Sequence, residues 1–132
     1  SGLPSIADDS GICIEELAGR PGVHSARYGG DGLTDKDRCL LLLEELKNST
    51  NRKAWFECVI SLADKNGIKF FTGRCDGEIA TEYDENGTTF GYDPIFYYPP
   101  LNKLFSRLTL EEKNRISHRG IAMEKLKIIF FL

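Results

Sequence analysis

Residues 7–11 read Ala-Asp-Asp-Ser-Gly, and Asp8 and Asp9 are the first side chains in the sequence whose types and spacing suit chemistry. Neighbouring residues of an extended segment project to opposite sides, so one of the two faces any given site. A carboxylate there can hold a hard divalent cation such as Mg²⁺, or accept a proton from water. Ser10 adds a hydroxyl, and Gly11 lets other backbone come close. The same residues would equally suit a plain turn in which an aspartate caps local amides.

A second set is Phe90-Gly91-Tyr92-Asp93-Pro94. An aromatic ring beside a glycine offers a flat face with open backbone next to it. That suits stacking on a purine, worth about 1–3 kcal/mol per base in other systems. Asp93 could accept from a base or ribose donor, and Pro94 stiffens the exit from the loop. The competing reading is a kinked strand start with core aromatics. The third set is Ser117-His118-Arg119-Gly120, at an expected helix start. Helix N-terminal amides favour anions, and Arg119 adds a fork of donors for a phosphate or a base carbonyl. His118 can donate in either charge state, and Lys113 could reach the same ligand. A His-Arg pair simply solvated at the surface would read the same way. His24, Ser25 and Arg27 could touch a ligand or simply fold their loop back. Trp55 fits the core or a subunit contact, and Tyr97 and Tyr98 fit a strand edge. Neither a GxGxxG nor a GxxxxGK[ST] phosphate loop is present.

These residues need elements to hold them. Leu3–Asp8 and Cys13–Leu17 read as two short strands around a tight turn at Asp9-Ser10-Gly11. The Gly-rich stretch 18–34 reads as a loop. Thr34 then caps a helix over Asp35–Lys47, with Cys39, Leu42, Leu43 and Leu46 as its buried stripe. Lys53–Ala63 alternates with period two, so it is a strand, and Asn66-Gly67 turns it into Ile68–Arg74 and Asp76–Ala80 as an antiparallel hairpin. Glu82–Thr89 is a loop, and Asp93–Tyr98 a further strand stopped by Pro99-Pro100. Thr109-Leu110-Glu111-Glu112 has capping-box form and opens a short helix. Ser117 can cap a last helix over His118–Phe130. Strands and helices mix as in an α/β or α+β sandwich.

The whole-chain balance fits this plan. A length of 132 residues suits one compact domain, 1–132. A net charge of −3 argues against a duplex nucleic-acid partner. The charge is uneven: residues 1–37 carry seven acids against three bases, and residues 102–127 seven bases against three acids. Two such ends could jointly hold a metal and a polyanion, although solvated surface charge reads the same way. The four cysteines form no CxxC pair, which suits reduced structural thiols in a cytoplasmic protein. No apolar run reaches the length of a membrane span.

Taken together and in order, the motifs resemble the Ham1 family, the inosine triphosphate pyrophosphatases. The resemblance rests on Gly2-Leu3-Pro4-Ser5-Ile6-Ala7-Asp8-Asp9-Ser10-Gly11, on residues 19–28 (GRPGVHSARY), on Gly91-Tyr92-Asp93-Pro94-Ile95-Phe96, and on Glu111-Glu112-Lys113 followed by Ile116-Ser117-His118-Arg119-Gly120. It implies Mg²⁺-dependent attack of water on a non-canonical purine triphosphate (ITP, dITP or XTP), releasing monophosphate and pyrophosphate. It implies a homodimer, and a two-lobed α/β fold with a central, mixed, twisted β-sheet flanked by helices. Residue by residue, Asp9 matches the catalytic base and metal-linked carboxylate, and Asp8 the adjacent acid at the metal. Ser10, Phe90, Gly91, Tyr92, Asp93, Lys113, His118 and Arg119 match substrate contacts. The family's first strand, with its Thr/Ser-x-x-Asn-x-x-Lys phosphate loop, is not visible here. The resemblance therefore implies an N-terminally incomplete domain with little or no pyrophosphatase activity of its own, or a non-catalytic nucleotide-binding or dimerising remnant.

Overall fold

The computed structural model describes residues 5–117, 121–122 and 124–125. Its centre is a five-stranded sheet: β1 (Ser5–Ile14), β2 (Lys53–Asp64), β3 (Gly67–Ile79), β4 (Phe96–Tyr98) and β5 (Lys103–Leu104), in that spatial order. Two helices accompany it, α1 (Asp35–Glu45) and α2 (Leu110–Ile116). The α/β class with a helix-flanked sheet is thus as expected. Each pairing is antiparallel, so the parallel part of the expected mixed sheet does not occur among the described strands.

Period-two alternation in β2 does what it predicts. Ala54, Phe56, Cys58, Ile60 and Leu62 are buried on one face, and their alternates are half-buried or exposed. Asn66-Gly67 closes the hairpin, with Asp64 paired to Gly67 and the Asp64 carboxylate accepting from the Asn66 amide at 2.7 Å. β3 runs without a break through Cys75 rather than as two pieces. In α1, the Thr34 side chain accepts from the Asp37 amide and the Asp37 carboxylate accepts from the Thr34 amide, a complete capping box. Cys39, Leu42 and Leu46 then bury onto the sheet, with Leu43 partly covered.

The main core lies between α1 and the inner face of the sheet. Ile12 and Ile14 of β1, Phe56 of β2, Cys75 of β3 and Phe96 of β4 meet the helix there. Phe56, Phe96 and Phe105 pack as a trio with centroids 4.4 to 5.4 Å apart, a spacing at which ring quadrupoles favour tilted and edge contacts. A second cluster on the same face joins Cys58, Ile60, Leu62 and Phe71 to Ala122. Arg52 locks helix to sheet: its guanidinium donates to Leu46 O at 2.9 Å, Ile79 O at 2.7 Å and Ala80 O at 2.6 Å. All four cysteines are buried and unbridged.

Three expectations about local structure are corrected. Residues 5–14 form one strand, not two strands with a turn at Asp9-Ser10-Gly11. Ten consecutive pairs with β2 hold them straight. Asp93–Ile95 forms a single 3-10 turn, and the strand begins only at Phe96; Pro94 has no amide to give a ladder. The stretch 18–34 is not all irregular, because Gly22–Arg27 is a 3-10 segment. Of the expected last helix, Ile121, Ala122, Glu124 and Lys125 are helical, and the remainder lies outside the described residues.

Asp84 anchors the long loop before β4. Its buried carboxylate accepts from Arg107 Nε at 2.6 Å, Arg107 Nη2 at 2.8 Å, Ser106 Oγ at 2.7 Å and the Asn86 amide at 3.1 Å. The Arg107 guanidinium, aided by the other donors, holds this carboxyl well below the usual carboxylate range despite its burial. A depressed folded pKa gives stability that is complete above the unfolded value of about 4 and is lost as pH falls below it. Asp84→Ala is expected to lower the urea midpoint at pH 7, and the gap to wild type should narrow steadily as pH falls from about 4 towards about 2. A gap that stays constant across that window would contradict the assignment.

Candidate active site

One cleft of about 720 Å³ brings together motifs that lie far apart in the chain. Ser10, Gly11 and Ile12 of β1 form one wall, Phe90, Gly91 and Tyr92 another, and Lys113 of α2 a third. The first wall is an edge of the sheet, and its exposed backbone is occupied in an unusual way. The outer amide and carbonyl of Ile12 have no strand neighbour; Ser25 Oγ accepts from the amide at 2.9 Å, and its one proton goes to Gly22 O at 2.6 Å with Ile12 O as a longer second acceptor at 3.3 Å. The Gly22–Arg27 segment therefore lies against β1 where another strand would pair. Gly11 makes the approach possible: a Cβ there would stand 2.1 Å from Gly22 O. Ser25 thus folds the loop back, and it also borders the cleft.

The two aspartates lie just before Ser10 on β1, and both are exposed. Pairing sets Asp8 opposite Ile60 and Ser10 opposite Cys58, both inner-face residues, while Asp9 is opposite Val59 on the reverse face. Asp8 Oδ1 accepts from Ser10 Oγ at 3.1 Å and from the Cys58 thiol at 3.5 Å. Gly11, on the side of Asp9, also borders the cleft, but neither Asp8 nor Asp9 is among the residues that line it; both stand on β1 just before that wall. Among the described residues there is no group of three or more His, Cys, Asp and Glu placed to hold a metal. One or two carboxylates are nevertheless the usual protein share of a Mg²⁺ site that substrate phosphates complete, and the hard oxygens of Asp8 and Asp9 suit that share.

The second wall is tightly held. Gly91 sits at φ +51°, in the left-handed region. Its amide donates to Asp35 Oδ2 at 3.0 Å, and its carbonyl accepts from Cys39 Sγ at 3.3 Å. Burial, with the nearby charges of Asp35 and Asp93, pushes the Cys39 thiol up to about 12, so it remains a donor. Tyr92 Oη donates to Ser25 O, joining this wall to the strand edge. Phe90, by contrast, is 66% exposed, with its ring open to the cleft.

Asp93 is buried and forms an ion pair with Lys113. Burial raises its carboxyl above the ordinary value, and the Lys113 ammonium opposes that rise. Asp93 therefore serves Lys113 and does not face the cleft as a free acceptor. The same ammonium stands 5.3 Å from the centre of the Phe90 ring, a cation–π distance. Ser117 is the C-terminal cap of α2 and borders the cleft, and its carbonyl accepts from the Ile121 amide at 2.9 Å. His118 and Arg119 lie outside the described residues. Trp55 is half-buried on the reverse face of the sheet, with the Arg74 guanidinium 4.2 Å above its ring. Sequence reasoning missed Asp35 and Cys39. Their only local signal is that i and i+4 on one helix face the same way.

A helix-backed antiparallel sheet, whose edge faces an aromatic–glycine loop and a lysine-bearing helix across one concave site, defines an α/β domain built to take a small ligand. The chain belongs to the Ham1 family, whose model matches residues 1–129. A Leptospira interrogans protein named dITP/XTP pyrophosphatase is 54% identical over 125 residues, which are 94% of this chain and 64% of that protein. One of the same name from Desulfotalea psychrophila is 51% identical over 127 residues, 96% of this chain and 56% of its own length. The solved Staphylococcus aureus Ham1 protein superposes with a TM-score of 0.91 at 45% identity, covering 98% of this chain and 67% of that one. A Coxiella burnetii HAM1 protein gives 0.92 at 43%, covering 98% and 68%. The chain thus spans somewhat under two thirds of the length of these curated relatives.

Proposed function

We propose that this chain is part of a nucleoside triphosphate pyrophosphatase that hydrolyses non-canonical purine triphosphates (ITP, dITP, XTP) to monophosphate and pyrophosphate, clearing them from the nucleotide pool. The observation that carries this reading is the single cleft shared by Ser10, Phe90-Gly91-Tyr92 and Lys113. The Phe90 ring offers a stacking face for the purine. Lys113 has three ammonium donors, of which Asp93 takes one, leaving two for phosphate oxygens. Ser10 offers its hydroxyl beside the strand edge. His118 and Arg119, a few residues beyond α2, add donors for a 6-keto oxygen or a phosphate. Asp9 is the proposed base for the attacking water and, with Asp8, the carboxylate share of a Mg²⁺ site. The ion, when bound, would neutralise charge on the triphosphate. A cytoplasmic homodimer completes the proposal; among the described residues no helix is long and apolar enough to cross a membrane.

The second reading is a nucleotide-binding or dimerising module without turnover. The cleft is lined by the aromatic–glycine loop and Lys113 but not by the Asp8 or Asp9 carboxylates, an arrangement that favours it. One pair of assays separates the two readings. ITP binding is followed by calorimetry, and pyrophosphate release from ITP with Mg²⁺ is followed by a coupled assay. The whole protein is expected to bind and turn over, and Asp9→Asn should reduce turnover by at least about 100-fold while leaving the melting temperature near wild type. Asp8→Asn measures the share of the carboxylate on the inner face. Turnover that survives Asp9→Asn would transfer the base to another group. Binding without release by the 132-residue chain would establish the module reading for it.

A further inference from the structure

The exposed Phe90 ring has little of its own to hold it, yet a stacking platform has to be fixed before a base arrives. A ring free to swing loses rotamer entropy on binding and discriminates poorly between purines. The backbone beside it is fixed by α1. Asp35 Oδ2 accepts from the Gly91 amide at 3.0 Å, and four residues later Cys39 Sγ donates to the Gly91 carbonyl at 3.3 Å. Both polar groups of one left-handed glycine are therefore held from one helix face. That helix is itself pinned by its capping box and by burial of Cys39, Leu42 and Leu46. Asp35 also borders the cleft beside Phe90.

We propose that Asp35 and Cys39 are positioning residues for base recognition: their two hydrogen bonds to Gly91 set the Phe90 ring at the angle on which the purine stacks. This rests on the nucleotide reading above and deepens it. Losing either bond should weaken the hold on the base and spare the hold on the phosphates, because Lys113 is carried by α2 and keeps its ion pair with the buried Asp93 when a Gly91 bond is lost. A role in stability alone would weaken both ligands together. The role needs an acceptor at position 35, not a charge, so asparagine can fill it. It needs a donor at position 39, so serine can fill it.

The experiment titrates ITP and inorganic tripolyphosphate, each with Mg²⁺, into wild type, Asp35→Ala, Asp35→Asn, Cys39→Ala and Cys39→Ser. Exchange of the Gly91 amide is followed in parallel by NMR. Each alanine variant is expected to bind ITP about 10-fold more weakly, as loss of one net hydrogen bond implies, and tripolyphosphate within about twofold of wild type. The Asn and Ser variants should recover most of the ITP affinity. The Gly91 amide should exchange at least about 10-fold faster in Asp35→Ala than in wild type. The inference is overturned if the alanine variants bind ITP like wild type, if they lose both ligands equally, if the conservative variants fail to rescue, or if Gly91 exchange is unchanged. Wild type binding tripolyphosphate but not ITP, or neither, would instead overturn the nucleotide reading and this inference with it.

Discussion

Gly11→Ala is expected to lower the unfolding free energy by about 3 kcal/mol, the largest effect of any methyl-sized change in the site. A Cβ at this position would stand 2.1 Å from Gly22 O, 2.8 Å from Gly22 C and 3.0 Å from Ser25 Oγ. Two of these contacts are to backbone, which cannot rotate aside, so the Gly22–Arg27 segment must move off the strand edge. Moving it breaks the paired hydrogen bonds between Ser25 Oγ and Ile12, which leaves the outer amide and carbonyl of a buried residue unpaired. It also loosens Tyr92, whose hydroxyl donates to Ser25 O. Urea unfolding, followed through Trp55, the single tryptophan, reads the effect. The midpoint should fall while the slope is unchanged. Ser25→Ala removes the same bonds without the clash and should cost about half as much. Should Gly11→Ala unfold within about 0.5 kcal/mol of wild type, the loop would have to sit elsewhere than against β1.

How far the sequence reaches follows from the range of each interaction. Alternation in β2, the Asn66-Gly67 turn, the Thr34 cap and the Thr109 capping box depend on residues within four positions of one another, and each is found where the pattern places it. The Asp9-Ser10-Gly11 stretch misleads for the opposite reason. Two polar residues and a glycine look like a turn, but the glycine answers a loop 11 residues further on, at Gly22. The motifs at Ser10, Phe90–Tyr92 and Lys113 were legible from residue types as separate pieces; their meeting in one cleft was implied only by the family resemblance, because it depends on where the sheet edge and α2 lie. The Gly91 clamp spans 56 residues to Asp35 and 52 to Cys39. Neither residue belongs to a recognisable pattern with Gly91, and a cysteine at a core position of a helix reads as packing. Asp93 shows the same limit: its type suits a ligand contact, whereas its partner across 20 residues, Lys113, takes its carboxylate.

That pairing leads to the second large effect. Lys113→Met is expected to cost about 2 kcal/mol of stability at pH 8 and much less at pH 5, and to weaken ITP binding by at least about 10-fold at either pH. Asp93 is only 4% exposed, and burial already lifts its carboxyl above the ordinary range in the presence of the lysine. Without the ammonium, the opposing influence disappears and the folded pKa climbs further. A carboxyl whose folded pKa exceeds its unfolded value of about 4 is a burden at high pH, where the folded protein must hold the charge or a proton taken from dilute solution. As pH falls through the folded value, the folded state takes up that proton and the burden lifts. The variant should therefore regain stability from pH 8 to pH 5 relative to wild type. Asp84, whose contribution is lost only below about pH 4, stays constant over that window, so the difference isolates Asp93. Ligand affinity should not recover with stability, because protonating Asp93 restores no donor to the cleft and no cation beside the Phe90 ring. An equal stability loss at both pH values would mean that Asp93 does not carry the charge that Lys113 neutralises. Recovery of ITP affinity at pH 5 would mean that the lysine serves only to support the fold.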